Sequence, residues 1–132
     1  MKAVDTNILV RFLVGDDPVQ SEKVKTFLQN AEKRGLVLFI SIPVLLETIW
    51  VLESSYCCPR SEILNAIEQL ILMPIFRFEA PERVKDMIQQ ARENKMELAD
   101  LLIGLTARDA GCDVSLTFDK DASKSSLFEY LD

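Results

Sequence analysis

No histidine occurs anywhere in the chain. That absence removes imidazole as a general acid or base. It also leaves any bound metal to oxygen donors, which suit Mg²⁺ or Mn²⁺ rather than zinc or copper. Cysteine is scarce: Cys57 and Cys58 are adjacent, Cys112 stands alone, and the three match neither a zinc spacing nor a disulfide framework. They read as buried or half-buried free thiols in a reducing cytoplasm. Only four glycines and five prolines occur, while 48% of residues are hydrophobic, which excludes a disordered chain. No apolar run approaches the roughly 18 residues of a membrane span. The apolar stretch from Ile8 to Val14 is interrupted by Arg11 and preceded by Asp5, which does not fit a signal peptide. The expectation is a cytoplasmic protein without membrane attachment.

Positive charge is also short, with 15 basic residues against 21 acidic ones and a net charge of −6. A broad basic face gripping DNA is therefore excluded. An acidic metal site would account for part of the excess, and its cations would partly neutralise it. Local basic strips at Arg11, Lys23, Lys25 or Arg108 remain open, with plain solvated side chains as the simpler reading.

What is present alternates strand with helix over a length, 132 residues, that suits one domain with its own core. This pattern predicts an α/β fold: a central, mostly parallel sheet of four to five strands between two helical layers. Residues 2–5 read as a short buried strand and Thr6 to Val14 as a helix. Asp17 and Pro18 open a second helix to about Arg34, with Val24, Phe27, Leu28 and Ala31 inward and Gly35 ending it. Leu36 to Ile40 is the second strand. A helix from Pro43 to about Leu52 follows, and then one capped by Ser61 with Ile63, Leu64, Ile67, Leu70 and Ile71 inward. Ile75 to Phe78 is a third strand, and Pro81 opens a helix carrying Val84, Met87, Ile88 and Ala91. Glu97 to Ala110 is a sixth helix, Val114 to Phe118 a buried strand, and Leu127 to Leu131 an edge strand.

Four carboxylates stand out against this framework. Asp5 and Asp119 each follow a strand, at the sheet edge where open α/β folds place ligands. Asp5 is equally placed to cap the helix at Thr6, and Asn7 either orients a ligand or caps the same helix. Glu47 lies in a helix that is apolar nearly all round, where a buried charge calls for a metal or an ion-pair partner. Asp100 is the one charge in Leu98–Leu105, near a helix N-terminus whose dipole should lower its pKa. Glu97, one turn earlier, is either a first-turn capping acid or an outer ligand. The Thr117 hydroxyl could hold a water or a phosphate oxygen, and Asp121 and Lys120 read as solvated turn residues. Such a quartet is a means of building a cation-dependent phosphodiesterase.

Val4-Asp5-Thr6-Asn7 with Ile8-Leu9-Val10, Leu46-Glu47 with Trp50-Val51-Leu52, Leu98-Ala99-Asp100 with Ala107-Arg108 and Gly111-Cys112, and Thr117-Phe118-Asp119 occur in that order. In these segments the chain resembles the PIN-domain nucleases, and among them the VapC-type toxins of toxin–antitoxin pairs. The resemblance covers essentially residues 1–132. It implies a PIN-like three-layer α/β/α sandwich and an endoribonuclease that hydrolyses RNA phosphodiester bonds with a metal-activated water. Asp5, Glu47, Asp100 and Asp119 would be the catalytic metal ligands for Mg²⁺ or Mn²⁺, supported by Asn7, Thr117 and Glu97. It further implies a homodimer whose cleft is blocked by a cognate antitoxin protein. Two departures are visible: Glu97 stands where many relatives carry Asp, and Ala122–Leu127 lacks the glycine common before the last strand. The alternatives are a non-catalytic Mg²⁺-binding signalling domain of the receiver type and a protein-interaction module that has lost catalysis. The receiver type would want paired acids after the first strand and a lysine just after the last, and it gives Glu47 no role.

Overall fold

The computed structural model describes residues 1–132. The chain forms two compact units, Met1–Pro81 and Glu82–Asp132. The first contains β1 (Lys2–Ala3), α1 (Thr6–Val14), α2 (Pro18–Lys33), β2 (Leu38–Ile40), α3 (Ile42–Ser54), α4 (Arg60–Leu72) and β3 (Phe76–Phe78). The second is built from α5 (Pro81–Glu93), α6 (Leu98–Asp109), β4 (Ser115–Thr117), a 3₁₀ turn (Ala122–Lys124) and β5 (Phe128–Tyr130). The α/β class and every expected helix are present. The five strands divide into a three-stranded sheet of order β1-β2-β3 and a two-stranded sheet β4-β5, every pairing parallel.

In the first unit, helix starts are written by their caps. Asp17 accepts the Gln20 N–H at 3.0 Å, with Pro18 beginning α2, and Gly35 at φ 66° provides the left-handed turn after it. α3 is capped twice: Ser41 Oγ accepts the Val44 N–H at 3.3 Å and Glu79 Oε1 the Ile42 N–H at 2.8 Å. α1 packs against both α2 and α3, and α4 against α3 and β3. Leu9, Leu38, Ile40, Leu45, Ile49, Ile63, Ile67 and Leu70 are fully buried in this core.

In the second unit, Met87, Leu98, Leu101 and Leu102 are fully buried. Gly104 is required by close packing: a Cβ there would come within 2.9 Å of the Phe128 ring and 3.0 Å of Leu127 Cβ. No helix of the chain is long and apolar enough to cross a membrane.

The strands are shorter and wetter than their apolar runs suggest. β1 covers Lys2 and Ala3, both exposed at the edge of its sheet, and only Val4 is buried. Leu36 lies outside β2 and is exposed, as is Phe27 on α2, over which Lys2 Nζ sits 6.0 Å from the ring centre. β4 is not the buried strand expected, since Leu116 and Phe118 face solvent. Ser61 does not cap α4, whose N-cap is Pro59 with no side-chain bond. Cys57 and Cys112 are exposed, not buried, and Cys58 is half-buried.

Candidate active site

In the second unit, Asn94 Oδ1 accepts the Met96 N–H at 3.0 Å, closing the turn that leads into α6. Asp100 lies in the first turn of that helix and is half-buried. Asp119 follows β4 by two residues, and its position is fixed from both sides. Its N–H donates to Thr117 Oγ1 at 2.9 Å, while its Oδ1 accepts the N–H groups of Asp121 at 2.8 Å and Ala122 at 3.2 Å. Thr117 thus orients Asp119, a structural use of the hydroxyl expected to meet water or phosphate. Asp119 in turn caps the 3₁₀ turn with one oxygen and leaves Oδ2 outside these bonds.

The two carboxylates sense each other. Burial pushes the Asp100 carboxyl above its ordinary pKa of 3.8, and the negative charge of Asp119 pushes it further. The helix dipole was expected to lower this value, but desolvation and a like charge outweigh it. Both residues line a cleft of about 640 Å³, together with Glu97, Asp121, Lys95 and Lys124. Glu97 occupies the N-cap position of α6 without making a side-chain cap, so the capping role is not used. Asp121, expected as a solvated turn residue, joins the acidic wall and pairs with Lys124 at 3.2 Å. Its place two residues from Asp119 was the available signal.

In the first unit, Asp5 is exposed and caps α1, its Oδ1 accepting the Ile8 N–H at 3.1 Å. Asn7 is exposed in the first turn of the same helix. Glu47 is exposed as well, so no buried charge demands a partner there. α3 is apolar in composition but not enclosed, and Pro43, Glu47 and Trp50 form an exposed stripe at helical spacing. β1 and β2 are parallel, so Asp5 and the start of α3 leave the sheet at the same, carboxyl, end. α1 packs directly on α3.

Within neither unit do three or more His, Cys, Asp or Glu side chains gather into a group that could hold a metal ion. The expected basic strips are partly committed elsewhere. Arg11 bonds Gln20 at 2.6 Å and Asp16 at 3.3 Å, and Arg108 pairs with Asp86 at 2.8 Å.

The PIN domain family model matches residues 2–126, nearly the full chain. The chain belongs to the PIN-domain family. Among curated proteins, this PIN domain is similar to the VapC ribonuclease of Aquifex aeolicus (strain VF5). The two are 24% identical over 124 residues, covering 94% of this chain and 91% of that protein. Among solved structures it is similar to Mycobacterium tuberculosis VapC20, described as a sarcin-ricin loop cleaving toxin. Identity there is 19%, with 94% of each chain covered and a TM-score of 0.44.

Proposed function

We propose that this PIN-domain protein is an endoribonuclease that hydrolyses RNA phosphodiester bonds, and that it acts as the toxin of a toxin–antitoxin pair. The observation that carries the reading is the cleft lined by both Asp100 and Asp119, in which burial and, to a smaller extent, the charge of Asp119 raise the Asp100 pKa. Membership of the PIN family and similarity to a VapC ribonuclease along nearly all of both chains support it. The reading takes residues 1–132 as one nuclease domain.

The donor set fits a hard divalent cation. The four candidate ligands are all carboxylates, no imidazole competes, and a cation would relieve the repulsion by Asp119 that adds to burial in raising the Asp100 pKa. Asp5, Asp100 and Asp119 would be its direct ligands, and Glu47 would hold a second ion or orient the attacking water as a base. When bound, Mg²⁺ or Mn²⁺ would supply Lewis-acid chemistry, easing deprotonation of water and stabilising charge on the leaving oxygen. The protein's own part is positioning. Thr117 and the 3₁₀ turn hold Asp119, and the first turn of α6 holds Asp100, while Glu97 and Asn7 would be supporting residues. A cognate antitoxin protein, a homodimeric state and a cytoplasmic setting complete the proposal.

The test is cleavage of a panel of structured and single-stranded RNAs by partner-free protein in Mg²⁺, Mn²⁺ or excess chelator. Metal-dependent cleavage that is lost in Asp5→Ala and Asp100→Asn would support the reading. Folded protein that binds Mg²⁺ but cleaves nothing would leave a non-catalytic Mg²⁺-binding or protein-interaction module.

A further inference from the structure

One cation of the second unit is left over when the others are assigned. Arg83 pairs with Asp109 at 2.7 Å, Lys85 with Glu82 at 3.3 Å, Arg108 with Asp86 at 2.8 Å and Lys124 with Asp121 at 3.2 Å. Lys120 Nζ lies 5.9 Å from the centre of the Tyr130 ring, and Arg92 is engaged as well. Lys95 has no such partner, although it lines the same cleft as Glu97, Asp100, Asp119 and Asp121. Its backbone is held on both sides. The Asn94 N–H donates to the Gln90 carbonyl at 3.0 Å, and Asn94 Oδ1 accepts the Met96 N–H at 3.0 Å. The side chain is exposed at the cleft wall. An ammonium that stands among carboxylates and pairs with none is available to an anion entering the cleft. Lysine serves phosphate in this form, as a point charge on a flexible stem.

We propose that Lys95 is the phosphate-binding residue of this cleft, holding a non-bridging oxygen of an RNA phosphate that flanks the one cleaved. The inference rests on the ribonuclease reading and deepens it by assigning one contact of the substrate backbone to one side chain. The acidic wall repels each phosphate that enters, so a strand lying along it needs a cation of the protein at the wall itself. The phosphate at Asp100 and Asp119 is served by the cations those carboxylates hold, which leaves Lys95 to a neighbour. Lys124 lines the same cleft, but Asp121 already neutralises it. Lys120 is not among the lining residues. The rest of the wall includes Gln90, Asn94, Ser125 and Ser126, whose amides and hydroxyls suit ribose and phosphate oxygens.

The experiment uses the full chain in Mg²⁺ and a short RNA that the wild type cleaves, with one phosphate at a time replaced by an uncharged methylphosphonate. Lys95→Gln raises KM by roughly 3- to 30-fold, the loss falling on KM rather than kcat. It also flattens the slope of log K against log salt by about 0.7, the share of one phosphate contact on a single strand. Lys95→Arg restores both. Mg²⁺ binding, followed by calorimetry, stays as tight in Lys95→Gln or becomes tighter, since a positive charge has left the acidic wall. A methylphosphonate at one position flanking the cleavage point erases the difference between wild type and Lys95→Gln. Unchanged KM and salt slope for Lys95→Gln overturn the assignment and leave the ribonuclease standing. So do equal losses in Lys120→Gln, which would make net charge the cause, and a fall in kcat with weakened Mg²⁺ binding, which would make Lys95 a support of the metal site. Failure of the wild type to bind or cleave any RNA overturns both readings.

Discussion

Asp100 shows how much a single residue's environment decides. Its folded-state pKa lies above 3.8, with burial the larger cause and Asp119 the smaller. The fold therefore favours the protonated form. That stabilisation is fully present below the ordinary pKa and is lost as pH rises through the raised one. In chelator, melting temperature should accordingly fall between acidic and neutral pH by a component that Asp100→Asn removes. Calorimetry across pH 3.5–7.5 checks this, and a pH-independent difference between wild type and variant would sink it. The same substitution should cost about 10³-fold in metal-dependent cleavage, the order expected when a cation loses a ligand worth several kcal/mol in the transition state. Asp100 stands out in the sequence as a candidate because a lone acid in Leu98–Leu105 is conspicuous. Its pKa was not, because sequence reveals a helix start but not the desolvation around it. Glu47 errs in the opposite sense. A helix of Ile, Val, Leu and Trp looks enclosed on paper, yet nothing in its composition tells which face is covered, and Trp50 and Glu47 share the open one.

At the scale of elements, a helix is legible in the sequence where a side chain caps its start. Asp17-Pro18 begins α2 as its sequence predicts, since a cap acts within three residues and needs no distant partner. The expected Ser61 cap of α4 is not made, and the Ser41 cap of α3 was not foreseen. Strands were over-extended because an apolar run becomes a strand only as far as a neighbour pairs with it. Leu36 and Phe118 lie beyond that limit. The second cap of α3, from Glu79, was invisible because it arrives from 37 residues away. Two substitutions test these contacts by denaturant unfolding. Ser41→Ala should destabilise by about 1 kcal/mol, the usual cost of losing an N-cap, and less if Glu79 already satisfies most of the helix start. Gly104→Val should cost about 1–3 kcal/mol. Its added atoms meet Leu127 Cβ, which moves only with the backbone of the segment entering β5. An unchanged midpoint for Gly104→Val would mean that α6 and β5 are not packed as described.

For the whole molecule, the acidic balance and the use of its arginines limit how the proposed RNA substrate could be held. Arg11, Arg83 and Arg108 are all engaged by carboxylates. The net charge of −6 opposes a polyanion from a distance. Binding would then depend on cations at the carboxylates and a few lysines, rather than on a continuous basic surface. Counterion release on single strands scales at about 0.7 per neutralised phosphate. Two or three phosphate contacts therefore predict a slope of log K against log salt of about −2 or shallower at fixed Mg²⁺. Fluorescence anisotropy of a labelled oligonucleotide from 50 to 300 mM salt would measure it. A slope several-fold steeper would require a basic surface that the ion-paired arginines do not provide, and recognition would then be mainly electrostatic. A shallow slope, with affinity that depends on Mg²⁺, would place recognition in the short-range contacts around Asp100 and Asp119. Such an arrangement would let a protein of this charge discriminate among RNAs without first attracting all of them.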